Sequence, residues 1–389
     1  MRVVQNSNNI IRVLKEIKIK PGISRIEISK DIGLDKSTVT VVANRLMDLG
    51  FIEETTESLT PYQGGRRPVG LKLKTGIGII LGLEIQTDYY FAILIDMTGK
   101  VYKTMEGPVK NVDTFFYTFL NIYKDVYNEI EELGLPLLGV GIGTSGMINP
   151  HKGIISDSNP LNIHEPENFY EEIKAFLQVP VFLDNDANCG CWAVLSDSKD
   201  KRPIDSLFVL GEFRQARVRA DMTRVVAVGM GIVINERVHY GQEFSTGEYK
   251  SPSWQAPNKT QFSLSNEELN TLQSDRDIIV RIKEELASDI AFLTNMLNLT
   301  TITIGGSMSK YIDILEPQLQ MAITDNWSYE RPKKVNIQAA PMKEMTIAYG
   351  AAAMLLEHLF LTFETTSENP WSQKVGIDLF NSFTETISK

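Results

Sequence analysis

The side chains with the most specific chemistry in the N-terminal part of the chain lie between positions 36 and 67. Lys36, Ser37, Thr38, Thr40, Asn44 and Arg45 offer donors, acceptors and cations on one side of a stretch whose other side is apolar. Carried on a helix, side chains of these types read base-pair edges in the major groove. Gly64-Gly65-Arg66-Arg67-Pro68 adds a second contact element. Glycine lets a backbone approach a phosphate or groove floor, and arginine is favoured in a narrow minor groove. Further on, Asn185 and Asp186 are residue types that cap a helix N-terminus. Cys189 and Cys191 flank a single residue with no other Cys or His near them in sequence, so they form neither a zinc site nor a disulfide framework. They read as buried small residues.

Positioning the first set requires a compact helical head. Ile10, Ile11, Val13, Leu14 and Ile17 form a helical stripe, which Pro21-Gly22 ends. Ser24-Arg25-Ile26-Glu27 is a capping box that predicts a short helix to about Ile32. Gly33-Leu34 turns the chain, Asp35 is expected to cap, and a third helix over Lys36–Leu49 buries Val39, Val42, Leu46 and Leu49. Two wing strands are expected over Gly50–Glu54 and Val69–Lys74, with the double arginine at the wing tip. Residues 1–75 therefore read as a winged helix-turn-helix that binds double-stranded DNA; a helical protein-docking module is the competing reading. Charge favours DNA, since these residues carry +5 and residues 76–389 carry −15.

From Gly76 the pattern changes to strands and helices in alternation, which predicts an α/β body of two lobes with a cleft. The 389 residues suit two or three domains. The expected division is a first lobe over 76–189, completed by 345–389, and a second over 190–344. Glu212–Arg224 places four arginines between two strands, with Arg217 and Arg219 on one face of an extended hairpin. It reads as a solvated hairpin or as a contact for a partner subunit or anionic ligand. No apolar run approaches the ~18 residues of a membrane span, and Met1–Ser7 lacks the apolar block of a signal peptide. The expected setting is the cytoplasm, at the nucleoid, with no membrane partner.

The order of six segments resembles the ROK family of repressors, open reading frames and sugar kinases, within the actin-like ATPase superfamily, and in particular its winged-helix, sugar-responsive repressor branch. The segments are Gly64–Pro68, Gly139–Gly143 with Ser145-Gly146, Asn185–Asn188, Gly229–Ile232, Gly247-Glu248 and Ile304–Gly306. The resemblance implies a sugar site built from Ser145, Gly146, Asn185, Asp186 and Glu248, with Asp186 at the position of the kinase base. Carboxylates and amides suit such a site because each can engage vicinal hydroxyls.

Against that family, the phosphoryl-transfer parts are altered. Glu84, Gln86 and Asp88 replace an Asp-x-Gly-x-Thr phosphate turn, and Gly229-Met230-Gly231 replaces Gly-Thr-Gly. The His and Cys cluster after the Gly-Glu pair is missing, with Ser251 at the usual His position, so no metal and no cofactor is expected. The leading expectation is a regulator, not an enzyme, that binds operator DNA as a homodimer or higher homo-oligomer and responds to a sugar. An active sugar kinase with a DNA-binding head is the alternative, and a body that only dimerises is the third.

Overall fold

Helical periodicity in the head becomes three helices, α1 (Arg2–Ile19), α2 (Arg25–Ile32) and α3 (Lys36–Asp48). Strands β1 (Ile23–Ser24), β2 (Ile52–Thr55) and β3 (Gly70–Leu73) pair in the order β1-β3-β2. The structure, a computed structural model, describes residues 2–56, 69–110, 114–197, 202–218, 221–360 and 370–388. The expected wing tip with Arg66 and Arg67 lies outside them. The capping box forms: the Glu27 amide donates to Ser24 Oγ at 3.4 Å, and the Ser24 amide donates to Glu27 Oε2 at 2.8 Å. The expected Asp35 side-chain cap does not. Its main-chain carbonyl instead accepts the first helical bond, from the Val39 amide at 3.0 Å.

The first lobe consists of β4 (Ile79–Ile85), β5 (Tyr89–Ile95), β6 (Val101–Pro108), α4 (Phe115–Glu132), β7 (Leu137–Thr144), β8 (Met147–Asn149), β9 (Ile154–Asp157), β10 (Glu167–Asn168), α5 (Phe169–Ile173), β11 (Val181–Asn185) and α6 (Asp186–Asp197). The second consists of β12 (Ser206–Val218), β13 (Asp221–Ile234), β14 (Arg237–Val238), α7 (Asn266–Thr271), α8 (Asp275–Met296), β15 (Thr301–Gly305), α9 (Ile312–Asp325) and β16 (Asn336–Ala339). The chain then returns through α10 (Thr346–Leu359) and α11 (Pro370–Ile387). The expected boundary at 189/190 falls inside α6.

The lobes repeat one topology. In β11-β7-β4-β5-β6 and in β14-β13-β12-β15-β16, the first strand is central, with two successive antiparallel pairings on one side and two successive parallel pairings on the other. All seven residues of β4 are buried, as a strand covered on both faces requires. One cover is α10, whose Ala348, Ala351, Ala352 and Ala353 are fully buried. It lies so close that a β-carbon at Gly141 of β7 would stand 1.9 Å from the Ala351 carbonyl oxygen. That contact explains the spaced glycines of Gly139–Gly143.

The head is not an appendage on a strand-to-strand joint. A single apolar cluster joins Leu14, Ile17 and Phe51 of the head to Leu379, Phe380 and Phe383 of α11 and on to α10. The Phe51 and Phe380 rings stack at 5.1 Å. Beside them Glu357 of α10 accepts from Lys18 of α1 at 3.0 Å and pairs with Arg202, whose Nε also donates to the Leu195 carbonyl at 3.0 Å near the end of α6. Burial alone would raise the Glu357 carboxyl, but the Lys18 and Arg202 charges hold it down at about 2.

Candidate functional site

Two surfaces carry the expected chemistry. On α3, Val39, Val42, Ala43 and Leu46 face the head core, while Lys36, Ser37, Thr40, Asn44 and Arg45 are exposed and Thr38 is half-buried. Thr40 Oγ1 donates to the Lys36 carbonyl at 2.7 Å, so its hydroxyl is already partly engaged with its own helix. Sequence reasoning missed Val41, which is 67% exposed on the same face. An apolar side chain there is of a type that meets a thymine methyl, and its break in the polar face was the available signal.

The second surface is the cleft between the lobes. Ser145, Gly146, Asn185, Asp186 and Glu248, all selected from sequence, line one cavity of about 550 Å³. Parallel pairing of β11 with β7 sets Asn185 beside Thr144, so the strand ends deliver both segments to one edge. Gly146 adopts φ 126, and a β-carbon there would meet the Asp157 carbonyl oxygen at 2.5 Å. Its carbonyl accepts from Asn185 Nδ2 at 3.0 Å, while Asn185 Oδ1 accepts from the Ala187 amide at 2.9 Å. Asn185 therefore caps α6 and lines the cleft at once. Ser145 Oγ is buried with no hydrogen-bond partner among the described residues.

Asp157, Asn159, Glu212, Lys259 and Gln261 also line this cavity and were missed, because they lie on segments that only the folded lobes bring together. Glu248 sits across from Asp186 and Asp157. Burial, then the charges of those two groups, raises its pKa. Gln86 is fully buried, and its Nε2 donates to both Glu84 Oε1 and Asp186 Oδ2 at 3.1 Å. The Gln86 amide is thus held against the Asp186 carboxylate that lines the cleft. Met230 is buried in the second-lobe core, and Gly229–Gly231 belongs to β13.

Ser251 is buried and its amide donates to the Gln261 carbonyl at 2.8 Å. Cys189 and Cys191 are buried inside α6, where desolvation raises both thiols. Among the described residues, no group of three or more His, Cys, Asp or Glu side chains comes together as a metal cage. No described helix is long and apolar enough to cross a membrane. The β12–β13 hairpin runs in register to Val218 and Asp221. Arg219 and the side chains of Arg214, Arg217 and Arg224 are outside the described residues.

Behind the cleft, Asp184 fixes the start of α6. It accepts from Tyr240 Oη at 2.7 Å, Asn188 Nδ2 at 3.0 Å, Trp192 Nε1 at 3.3 Å and the Asn185 amide at 2.7 Å. Burial nevertheless pushes its carboxyl up to about 6. A raised acid pKa means that the native state holds the proton more tightly than the unfolded chain. The penalty is full above pH ~6 and fades as pH falls toward ~4, and it amounts to roughly 3 kcal/mol. The stability difference between wild type and Asp184→Asn should change by that amount across this window in pH-dependent denaturation. A flat difference would remove Asp184 as its source. Taking the difference isolates the group from His151 and His358, whose burial lowers their pKa values and acts in the opposite sense.

Comparison with known proteins matches the head and the body to separate families. Residues 80–249 match the ROK family, and residues 7–53 match a winged helix-turn-helix DNA-binding family. A xylose repressor of Staphylococcus xylosus is 27% identical over 62% of this chain, an alignment that spans 59% of that relative. A xylose repressor of Bacillus spizizenii is 23% identical over 79% of each chain. Among solved structures, a ROK family transcriptional regulator, a homolog of the E. coli MLC protein, superposes with TM-score 0.72 at 18% identity, covering 98% of this chain and 100% of the other. A ROK family glucokinase from Streptomyces griseus, solved with glucose and AMPPNP, gives TM-score 0.56 at 14% identity over 71% of this chain and 99% of its own. The body therefore has the fold of ROK kinases as well as of a ROK regulator.

Proposed function

The chain joins an N-terminal winged helix-turn-helix to a ROK family domain, and from that premise we propose that it is a transcriptional repressor whose kinase-like cleft binds a sugar. The observation that carries the reading is the convergence of Ser145, Asn185, Asp186 and Glu248 on one cavity in a chain whose α3 exposes Lys36, Ser37, Asn44 and Arg45. The relatives named xylose repressor support the same pairing of DNA and sugar. Ser145 Oγ supplies an unused donor, Asn185 and the carboxylates bridge vicinal hydroxyls, and Lys36, Ser37, Thr38, Val41, Asn44 and Arg45 read the operator, with Arg66 and Arg67 at the wing. The protein works as a homodimer or higher homo-oligomer on two half-sites, inside the cell at the nucleoid.

The test is a mobility shift on DNA upstream of its own gene, with and without a panel of pentoses, hexoses and short glycosides. Retardation that one sugar alters is expected, and the same sugar should raise the melting temperature. DNA binding that no sugar changes, together with no thermal shift, would sink the sensor. Arg45→Ala should cost ~1–3 kcal/mol on the operator and less on random DNA.

The cleft does not transfer phosphate. Gln86 holds Asp186 Oδ2 as an acceptor, and Met230 supplies no hydroxyl to a phosphate loop. No sugar-dependent ATP hydrolysis is expected; turnover that Asp186→Asn abolishes would overturn this.

A further inference from the structure

Glu212, on β12, lines two cavities. One is the sugar cleft with Asp186; the other, of about 180 Å³, lies among Glu84, Gly306, Ser307, Lys310 and Glu344. Its carboxylate is held from the turn after β15. Oε1 accepts from the Ser307 amide at 3.2 Å, and Oε2 accepts from the Ser307 hydroxyl at 3.0 Å. It lies over Gly306, where a β-carbon would come within 2.3 Å of Oε1. The amide and hydroxyl of Ser307 are donors of the kind that bind a phosphoryl oxygen, and here a built-in carboxylate uses them.

The rest of the cleft reinforces that sign of charge. Asp157, Asp186, Glu212 and Glu248 line it, and Lys259 is the one cation lining it among the described residues. Lys259 is exposed, and Lys310 behind Glu212 is paired with Glu344 at 2.8 Å. Glu84, beyond Gln86, is itself buried. Hydroxyls satisfy carboxylates by donating to them. A phosphate dianion donates nothing at neutral pH and meets like charge that solvent screens poorly.

We propose that Glu212 is a specificity-determining residue that makes the cleft a reader of unphosphorylated sugar and excludes the phosphorylated form. The inference rests on the sugar-sensing reading above and goes beyond it, because it fixes which chemical form of the sugar is sensed. It also assigns Glu212 a role as the anion already occupying the place of a phosphoryl group.

The experiment compares D-xylose, D-glucose and N-acetyl-D-glucosamine, each with its terminal phosphate monoester, by calorimetry on the full-length protein and on Glu212→Gln. The substitution keeps the shape and one acceptor for Ser307 while removing the charge. For the sugar that binds, wild type should prefer the free form by about 100-fold or more. Glu212→Gln should narrow that ratio by about 10-fold, and added salt should narrow it in wild type. Wild type binding a phosphate ester as tightly as its free sugar overturns the inference and leaves sugar sensing intact. An unchanged ratio in Glu212→Gln overturns the role of Glu212. Binding of no panel member in either form overturns the sugar reading and this inference together.

Discussion

Glu357→Gln should lower the unfolding free energy by roughly 3 kcal/mol at neutral pH, although it exchanges only one carboxylate oxygen for an amide nitrogen. The carboxylate sits among Lys18, Arg202 and, at longer range, Lys15. Without it, three cations of α1 and the segment after α6 face one another around a buried amide. Breaking a buried pair costs ~3–5 kcal/mol because a charge is left uncompensated. The lower end applies here, since the Lys18 and Arg202 side chains are 21% and 28% exposed and water can partly answer for the loss. The pH dependence has a definite sign. A depressed carboxyl pKa stabilises the native state above the unfolded pKa of ~4.5. That contribution is lost as pH falls toward the native value of about 2. Denaturant titrations should show wild type and variant far apart at pH ~7 and converging below pH ~4. A constant separation would mean that the loss came from packing.

The parts legible in the sequence are those with local causes. The capping box at Ser24–Glu27, the αL glycine at Gly33 and the apolar stripe of α3 act over a few residues, so the head could be read almost element by element. Strand β6 was missed because it is an edge strand whose residues alternate between exposed and half-buried, leaving no apolar run to find. Helix α11 carries apolar residues at 379, 380 and 383, a helical spacing, yet nothing near them in sequence says that they cover the head. The duplicated sheet topology leaves no mark in composition either, because it is a matter of strand order. In the cleft, Asn185 and Asp186 stood out as a cluster, whereas Asp157, Glu212 and Lys259 are single residues whose meaning depends on approach across the lobes. The glycine alternation at 139, 141 and 143 was the underused signal, since it marks the strand face on which α10 lies.

Asp186→Ala should abolish the effect of the sugar on operator binding while leaving sugar-free affinity within about twofold, because the substituted residue and the DNA surface are linked only through the body. The link is continuous in the structure. Asp186 begins α6, a helix of 12 residues, or ~18 Å at 1.5 Å per residue. Near its far end the Leu195 carbonyl accepts from Arg202, which pairs with Glu357, and Glu357 accepts from Lys18 in the head. α6 is also packed along α10, so a shift of its first turn is passed on as a rigid-body movement. Sugar can alter DNA affinity only through its preference between two arrangements, and a tenfold effect requires ~1.4 kcal/mol of differential binding. Arg202→Ala should therefore keep the sugar-induced rise in melting temperature yet shrink the ratio of operator affinities with and without sugar. The pair of variants separates the two ends of the path: Asp186→Ala removes the signal, and Arg202→Ala weakens its delivery. An Asp186→Ala protein that still releases or grips DNA in response to the same sugar would place the effector outside this cleft.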